Sequence, residues 1–179
     1  MNSPSLETRR LTLVAATLPM VRAELARPAE FARLLGVEVA VPWPPPLNDE
    51  QSNRWMIRYL EENQDAGGWG LWYYVLRQGP NGTPLAIGNG GYKGKPSADG
   101  TVEIGYSIVE AFQGKGLGTE AVRALIDHAF RNPTVTRVIA ETFPDLIPSI
   151  RVLEKNGFVR SEEEGSEPGV IRFELRRTG

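Results

Sequence analysis

The chain has no cysteine and a single histidine, His128, in 179 residues. Without cysteine there is no disulfide framework, no thiolate metal site and no thiol nucleophile, and one histidine leaves a metal centre short of its usual ligands. Charge of one sign is missing too. Lys and Arg number 20 against 22 Asp and Glu, a net charge of -2, and no block of like charges occurs, so nucleic acid as a partner has no electrostatic support. No run approaches the ~20 apolar residues of a membrane span. Arg9-Arg10 followed by Leu11 to Met20 imitates a secretory leader, but Thr12, Thr17 and Pro19 interrupt its apolar core, and Leu11-Thr12-Leu13 alternates as a strand does. The expectation is a soluble, cytoplasmic protein with no metal and with neither a nucleic acid nor a membrane as partner. Its length fits one domain over residues 1–179, as a monomer or a homodimer.

Periodicity and turn residues divide the chain into alternating strands and helices. A strand is expected over Thr8 to Val14, then helical segments over Met20 to Ala26 and Pro28 to Leu35. Val41-Pro42-Trp43-Pro44-Pro45-Pro46 must be an extended loop. Asp49 or Ser52 can cap a helix through Leu60, which Gly67-Gly68 ends. Strands over Trp69 to Leu76, Leu85 to Lys93 and Val102 to Ile108 form an antiparallel meander. A helix to Phe130, a strand Arg137 to Thr142, a helix Pro148 to Asn156 and a strand around Val170 to Leu175 follow. The fold class is α+β.

The densest signal is Gln113-Gly114-Lys115-Gly116-Leu117-Gly118-Thr119, where an alternating strand runs into an amphipathic helix. Glycines at alternate positions let the backbone approach a ligand, and a helix beginning there offers unpaired N–H groups and the positive end of its dipole. A pyrophosphate is the expected occupant. The nucleotide-triphosphatase pattern fails, because Lys115 lies inside the loop and not directly before Thr119. A dinucleotide fingerprint is met by Gly116, Gly118 and Ala121, with Glu141 placed for a ribose; that reading, a small oxidoreductase, wants a strand buried on both faces, whereas Val102 to Ile108 alternates.

Taken together, the segments resemble the GNAT superfamily of acyl-CoA-dependent N-acetyltransferases. Gln113-x-x-Gly116-x-Gly118 matches its Q/R-x-x-G-x-G/A motif, Glu103-Ile104-Gly105-Tyr106 resembles its fourth strand, and Ser149 to Phe158 its S-x-x-V-L-E-K-x-G-F helix. Leu6 to Leu13 is similar to the first strand of the branch holding the ribosomal-protein N-acetyltransferases. The resemblance implies a mixed, mostly antiparallel sheet flanked by helices and splayed between its fourth and fifth strands. It also implies acetyl-CoA as co-substrate and direct transfer of an acetyl group to a primary amine, on a small molecule or a protein N-terminus, without a covalent enzyme intermediate. The backbone of Gly114 to Thr119, with Gln113 and Lys115, would hold the pyrophosphate, and Ile108 and Val109 the pantetheine arm.

Glu103 is the expected base for the ammonium proton. Ser149, which can equally cap its helix, is expected to assist the departing sulfur. Relatives carry a tyrosine where this chain has Leu153, and often an asparagine where it has Leu146, which keeps an acyl-CoA-binding module of little turnover as an alternative. Trp43, Trp72, Tyr92 and Tyr106, with Trp55, are the aromatic candidates for lining the acceptor site. Glu162, Glu163, Glu164 and Glu167 read as a solvated acidic loop, and His128 as a packing residue.

Overall fold

The computed structural model describes residues 3–66 and 68–178; Gly67, half of the expected Gly67-Gly68 break, lies outside the described residues. The strands are β1 (Ser5–Glu7), β2 (Leu11–Ala15), β3 (Glu38–Val39), β4 (Leu71–Leu76), β5 (Leu85–Tyr92), β6 (Thr101–Ile108), β7 (Arg137–Thr142), β8 (Val159–Glu164) and β9 (Ile171–Arg176). They form one sheet in the order β1-β2-β4-β5-β6-β7-β9-β8, with the short β3 added in parallel beside β5. The helices are α1 (Leu18–Ala26), α2 (Pro28–Leu35), α3 (Glu50–Glu62), α4 (Leu117–Arg131) and α5 (Ile147–Lys155).

The strand expected over Thr8 to Val14 starts only at Leu11, and a separate short strand, β1, precedes it. The Thr8 hydroxyl accepts the Leu11 N–H at 2.9 Å and the Thr8 N–H reaches the Leu11 carbonyl at 2.9 Å, closing a hairpin at Thr8–Arg10. The acidic stretch is not a loop: Val159–Glu164 is an edge strand on β9, and Glu163 lies 2.7 Å from Arg137 and 2.8 Å from Arg172. Cations on β9 and, one strand further in, β7 balance its charge, which its own residues alone would oppose. Asp49, not Ser52, caps α3, accepting the Ser52 N–H at 2.8 Å.

Alternation in the strands creates two apolar layers. Trp72, Tyr74, Val102, Ile104, Ile108, Val138 and Ala140 face α4, whose stripe of Leu117, Ala121, Val122, Leu125, Ile126 and Ala129 is wholly buried. Tyr73 and Ala86 face the other way and pack with Met20, Ala23, Phe31 and Leu35 of α1 and α2. The helix that carries the glycine loop is thus pinned along its length, and its N-terminus is held still.

The feature that positions the site is a gap. β6 and β7 run parallel and pair only from Thr101↔Arg137 to Ile104↔Ala140. Beyond those residues Gly105 to Ile108 keep their pairing with β5, and Glu141 and Thr142 theirs with β9, so the two strands diverge. This is the splay between Val102–Ile108 and Arg137–Thr142 that the resemblance implies.

Candidate active site

The glycine loop leaves a row of backbone donors at the start of α4. Gly114 and Gly116 have φ of 70° and 77°, a left-handed region that favours glycine, and Gly116 is the N-cap of α4. The first bond into the helix is Glu120 N–H to the Gly116 carbonyl at 3.1 Å, and no described group accepts the N–H groups of Gly114, Lys115, Gly116, Leu117, Gly118 or Thr119. A consecutive row of free donors at a helix start fits a pyrophosphate. Gln113 and Lys115 are placed differently from expectation. Gln113 Nε2 donates to the Ile108 carbonyl at 2.8 Å and Lys115 Nζ to the Ala111 carbonyl at 2.7 Å, so both brace the loop from within.

A second brace comes from the far end of the chain. Arg10 Nη1 donates to the Lys115 carbonyl at 2.9 Å, and Arg10 Nε lies 2.7 Å from Glu120, which also accepts the Thr8 hydroxyl and the Arg10 N–H, both at 2.6 Å. Partial burial pushes the Glu120 carboxyl upward, but the hydrogen bonds from Thr8 and Arg10 together outweigh it and hold the group below its ordinary range. A negative charge in the first turn is thereby neutralised beside the place where an anion belongs. No local sequence pattern links Arg10 to Lys115.

In the gap, backbone groups are left without a partner strand. Lys93 N–H bonds the Glu103 carbonyl and Val109 N–H the Ile87 carbonyl, each at 2.9 Å, so alternate residues of β6 turn their backbone to β5. Ile104, Tyr106 and Ile108 turn theirs to the gap. Val109 is therefore not available as expected, since its carbonyl also accepts the Phe112 N–H at 2.9 Å. Tyr106 and Ile108 carry the open groups, less the Ile108 carbonyl taken by Gln113.

Ser149 does not cap α5. It stands inside the first turn, after the N-cap Leu146, which has no side-chain cap bond. Its Oγ lies 3.0 Å from the Tyr106 Oη, and Tyr106 Oη donates to the Ser149 carbonyl at 2.9 Å. Burial pushes the Tyr106 phenol up to about 12, with the Ser149 hydrogen bond opposing, so it stays protonated at neutral pH. Leu153 is fully buried in the core.

A cavity of about 750 Å³ passes through the gap, with Tyr106, Ser149, Thr142 and Leu146 at one side and Asn48, Asn53, Trp55, Asn89 and Lys93 at the other. The second side holds an unexpected carboxylate. Glu24 on α1 is 1% exposed and accepts from Trp43 Nε1 (3.2 Å), Asn48 Nδ2 (3.1 Å), Asn53 Nδ2 (3.4 Å), Tyr73 Oη (3.0 Å) and Asn89 Nδ2 (3.1 Å). Burial raises its pKa, with the Tyr73, Trp43, Asn89 and Asn48 hydrogen bonds pulling the other way. Ion-paired to Lys93, Glu103 sits beside the lining without being part of it.

The aromatic candidates separate. Tyr106 and Trp55 line the cavity. Tyr92 reaches it too, but its hydroxyl is spent on the Leu125 carbonyl at 2.6 Å and on His128 Nδ1 at 2.8 Å. Trp72 is a core residue, buried with its Nε1 on the Gly68 carbonyl at 2.7 Å, and Trp43 packs on Phe31 and Tyr73 behind the lining. Glu141 is tied to Arg172 at 2.7 Å and to the Ser166 hydroxyl at 2.5 Å, within a mostly antiparallel sheet. The dinucleotide alternative fails on both counts.

A splayed mixed sheet with a glycine cradle at the start of the following helix defines an acyl-CoA-binding fold. Residues 10–159 match the family model described as an acetyltransferase (GNAT) domain, and the chain belongs to that family. An uncharacterized N-acetyltransferase of Bacillus subtilis (strain 168), YjdG, is 29% identical over 156 residues, 86% of this chain and 89% of its own. Among solved structures, an acetyltransferase from Agrobacterium tumefaciens str. C58 is similar with a TM-score of 0.65 and 24% identity, covering 99% of this chain and 96% of that one. RimL, a ribosomal L7/L12 alpha-N-protein acetyltransferase in complex with coenzyme A, is similar with a TM-score of 0.66 and 19% identity, covering 97% and 98%. The protein is an N-acetyltransferase with acetyl-CoA as its co-substrate. Among the described residues no helix is long and apolar enough to cross a membrane.

Proposed function

We propose that the enzyme moves the acetyl group directly to a primary amine that enters from the side of α1 and α3. The observation that carries this reading is the single cavity joining the Tyr106–Ser149 pair to an acidic wall, where Glu24 and Asp49 stand against one cation, Lys93, itself paired to Glu103. Such a wall favours a cationic acceptor. Acetyl-CoA supplies the activated thioester; the free N–H groups of Gly114 to Thr119 hold its pyrophosphate, and Tyr106 and Ile108 its pantetheine arm.

Glu103 removes the ammonium proton. Its side chain is 22% exposed, open enough for a water relay, whereas Glu24 is enclosed. Ser149 Oγ–H donates a hydrogen bond to the departing sulfur, which leaves as the coenzyme A thiolate and takes its proton from solvent. As Ser149 Oγ–H turns to the sulfur, the Tyr106 hydroxyl turns from the Ser149 carbonyl to Ser149 Oγ, a shift between two acceptors already within reach.

The acceptor is a small-molecule amine or a protein N-terminus, the latter being what RimL acts on by its description. The test is thiol release from acetyl-CoA against a panel of amines and short peptides, with Tyr106→Phe and Glu103→Gln beside the wild type. Tyr106→Phe should lower kcat about tenfold, the value of one hydrogen bond, and leave acetyl-CoA affinity unchanged. Glu103→Gln should depress turnover most at low pH, where the amine needs deprotonation. An unaltered kcat in the first, or an unaltered pH profile in the second, removes that residue from the mechanism.

A further inference from the structure

The environment of Glu24 fixes three other side chains. A carboxylate can only accept, so an amide that meets it must present its NH2 group. Asn48, Asn53 and Asn89 all donate Nδ2 to Glu24, and Asn53 Nδ2 also donates to the Val21 carbonyl at 3.1 Å, which uses both of its hydrogens. Each Oδ1 is therefore turned away from Glu24. No described group donates to any of these three oxygens. The buried side-chain atoms sealed from solvent without a partner are Tyr59 Oη, Tyr74 Oη and Asn156 Oδ1, so the oxygens of Asn53 and Asn89, in side chains otherwise buried, open to the cavity that both residues line. Asn48 lines the same wall.

The result is a set of three carbonyl oxygens backed by one enclosed carboxylate, with no cation paired to Glu24 among the described residues. Three acceptors and a negative charge match the three N–H donors of a primary ammonium. They do not suit the nitrogen that reacts, because an environment that stabilises the charged form raises the amine's pKa and withholds the lone pair needed for attack. Asn89 stands directly opposite Ser107, three residues along β6 from Ile104, where the gap begins. At ~3.3 Å per residue and ~4.8 Å between strands, that places the backbone of Asn89 roughly 5–11 Å from the β6 residues along the gap.

We propose that Glu24, Asn48, Asn53 and Asn89 form a subsite for a second, non-reacting ammonium, and that the acceptor is an amine carrying a further primary ammonium roughly 5–10 Å from the acetylated nitrogen. This rests on the amine-acceptor reading above. Glu24 is a positioning residue: it orients the amides and supplies charge behind them.

The test is calorimetric titration of the CoA-saturated protein with 1,4-diaminobutane and with n-butylamine, which needs no turnover. The diamine should bind at least about tenfold more tightly, and Asn89→Ala and Asn48→Ala should each shrink that preference severalfold with coenzyme A affinity unchanged. Asn48 is half-buried on a loop, so its variant tests the subsite even where Asn89→Ala loosens the sheet. Equal affinity for the two amines in the wild type overturns the subsite, as does a preference that survives in both variants. Failure of the wild type to bind coenzyme A is a different result. It would sink the transferase reading, while the same titration on the CoA-free protein still decides the subsite.

Discussion

Gly90 on β5 should be among the least replaceable residues of the sheet, and Gly105, beside it on β6, among the most tolerant. A methyl group added at Gly90 would lie 2.2 Å from Tyr74 Oη, 2.4 Å from the Gly105 carbonyl oxygen and 2.6 Å from Tyr106 Cα. Carbon contacts are comfortable near 3.5–4.0 Å, so the two strands would have to part by about 1 Å, and two of the three obstacles are backbone. Overpacking of this kind costs about 1–3 kcal/mol, and a clash with backbone belongs at the upper end. For a chain of this size each kcal/mol moves Tm by about 2–4 °C, so Gly90→Ala should lose roughly 6–12 °C. At Gly105 an added methyl meets nothing within 4 Å. Gly105→Ala should therefore hold its Tm or gain, with about 0.4–1 kcal/mol from the stiffer unfolded chain. Because Gly105 lines the cavity, the new methyl should raise the acceptor KM instead. Thermal unfolding followed by circular dichroism measures both variants. Equal losses of Tm, or a Gly90→Ala protein within ~1 °C of wild type, would refute the reasoning.

Gly116→Val, at a φ of 77° and with Arg10 Nη2 3.4 Å from the added carbon, should retain the fold by circular dichroism but bind acetyl-CoA at least about tenfold more weakly; unchanged affinity would sink the cradle assignment. His128, packed among Trp69, Trp72 and Tyr92, has its pKa lowered from 6.5, first by burial and then by Arg131. A base with a lowered folded pKa contributes stability that is present above its unfolded pKa and is lost as pH falls through the folded value. The stability difference between wild type and His128→Gln should therefore shrink below about pH 6.5, and a difference independent of pH would show that the imidazole's charge does not matter.

The parts that were legible in the sequence are those where local pattern and tertiary packing agree. Pro28–Leu35 and Arg137–Thr142 have the expected bounds, because a proline at the helix start and a short apolar run leave few choices. The glycine loop was legible because left-handed turns and helix starts demand particular residues. β8 was not, since Val159–Glu164 has no alternation and no strand-forming residue past Val159, and takes its form from Arg137, Arg172 and the ladder with β9. Glu24 was invisible for a similar reason: its five donors come from Trp43, Asn48, Asn53, Tyr73 and Asn89, and nothing within α1 marks a carboxylate that will be enclosed. Tyr106 was nominated for the acceptor wall, but its bond to Ser149 depends on where α5 docks, which no spacing along the chain encodes.

The clasp between Arg10, Glu120 and Lys115 bears on how the most recognisable segment can be handled. Everything that marks the glycine loop lies after residue 100, yet the guanidinium that holds it enters from a hairpin more than a hundred positions earlier. The loop is thus not a portable cassette. A fragment containing the whole motif would carry its glycines without the strut that fixes them, and in the intact chain the cradle reaches its final shape only after the sheet has closed over that long separation, a slow kind of contact to make. Cofactor affinity should appear late in refolding, after the helix that carries the motif is already formed.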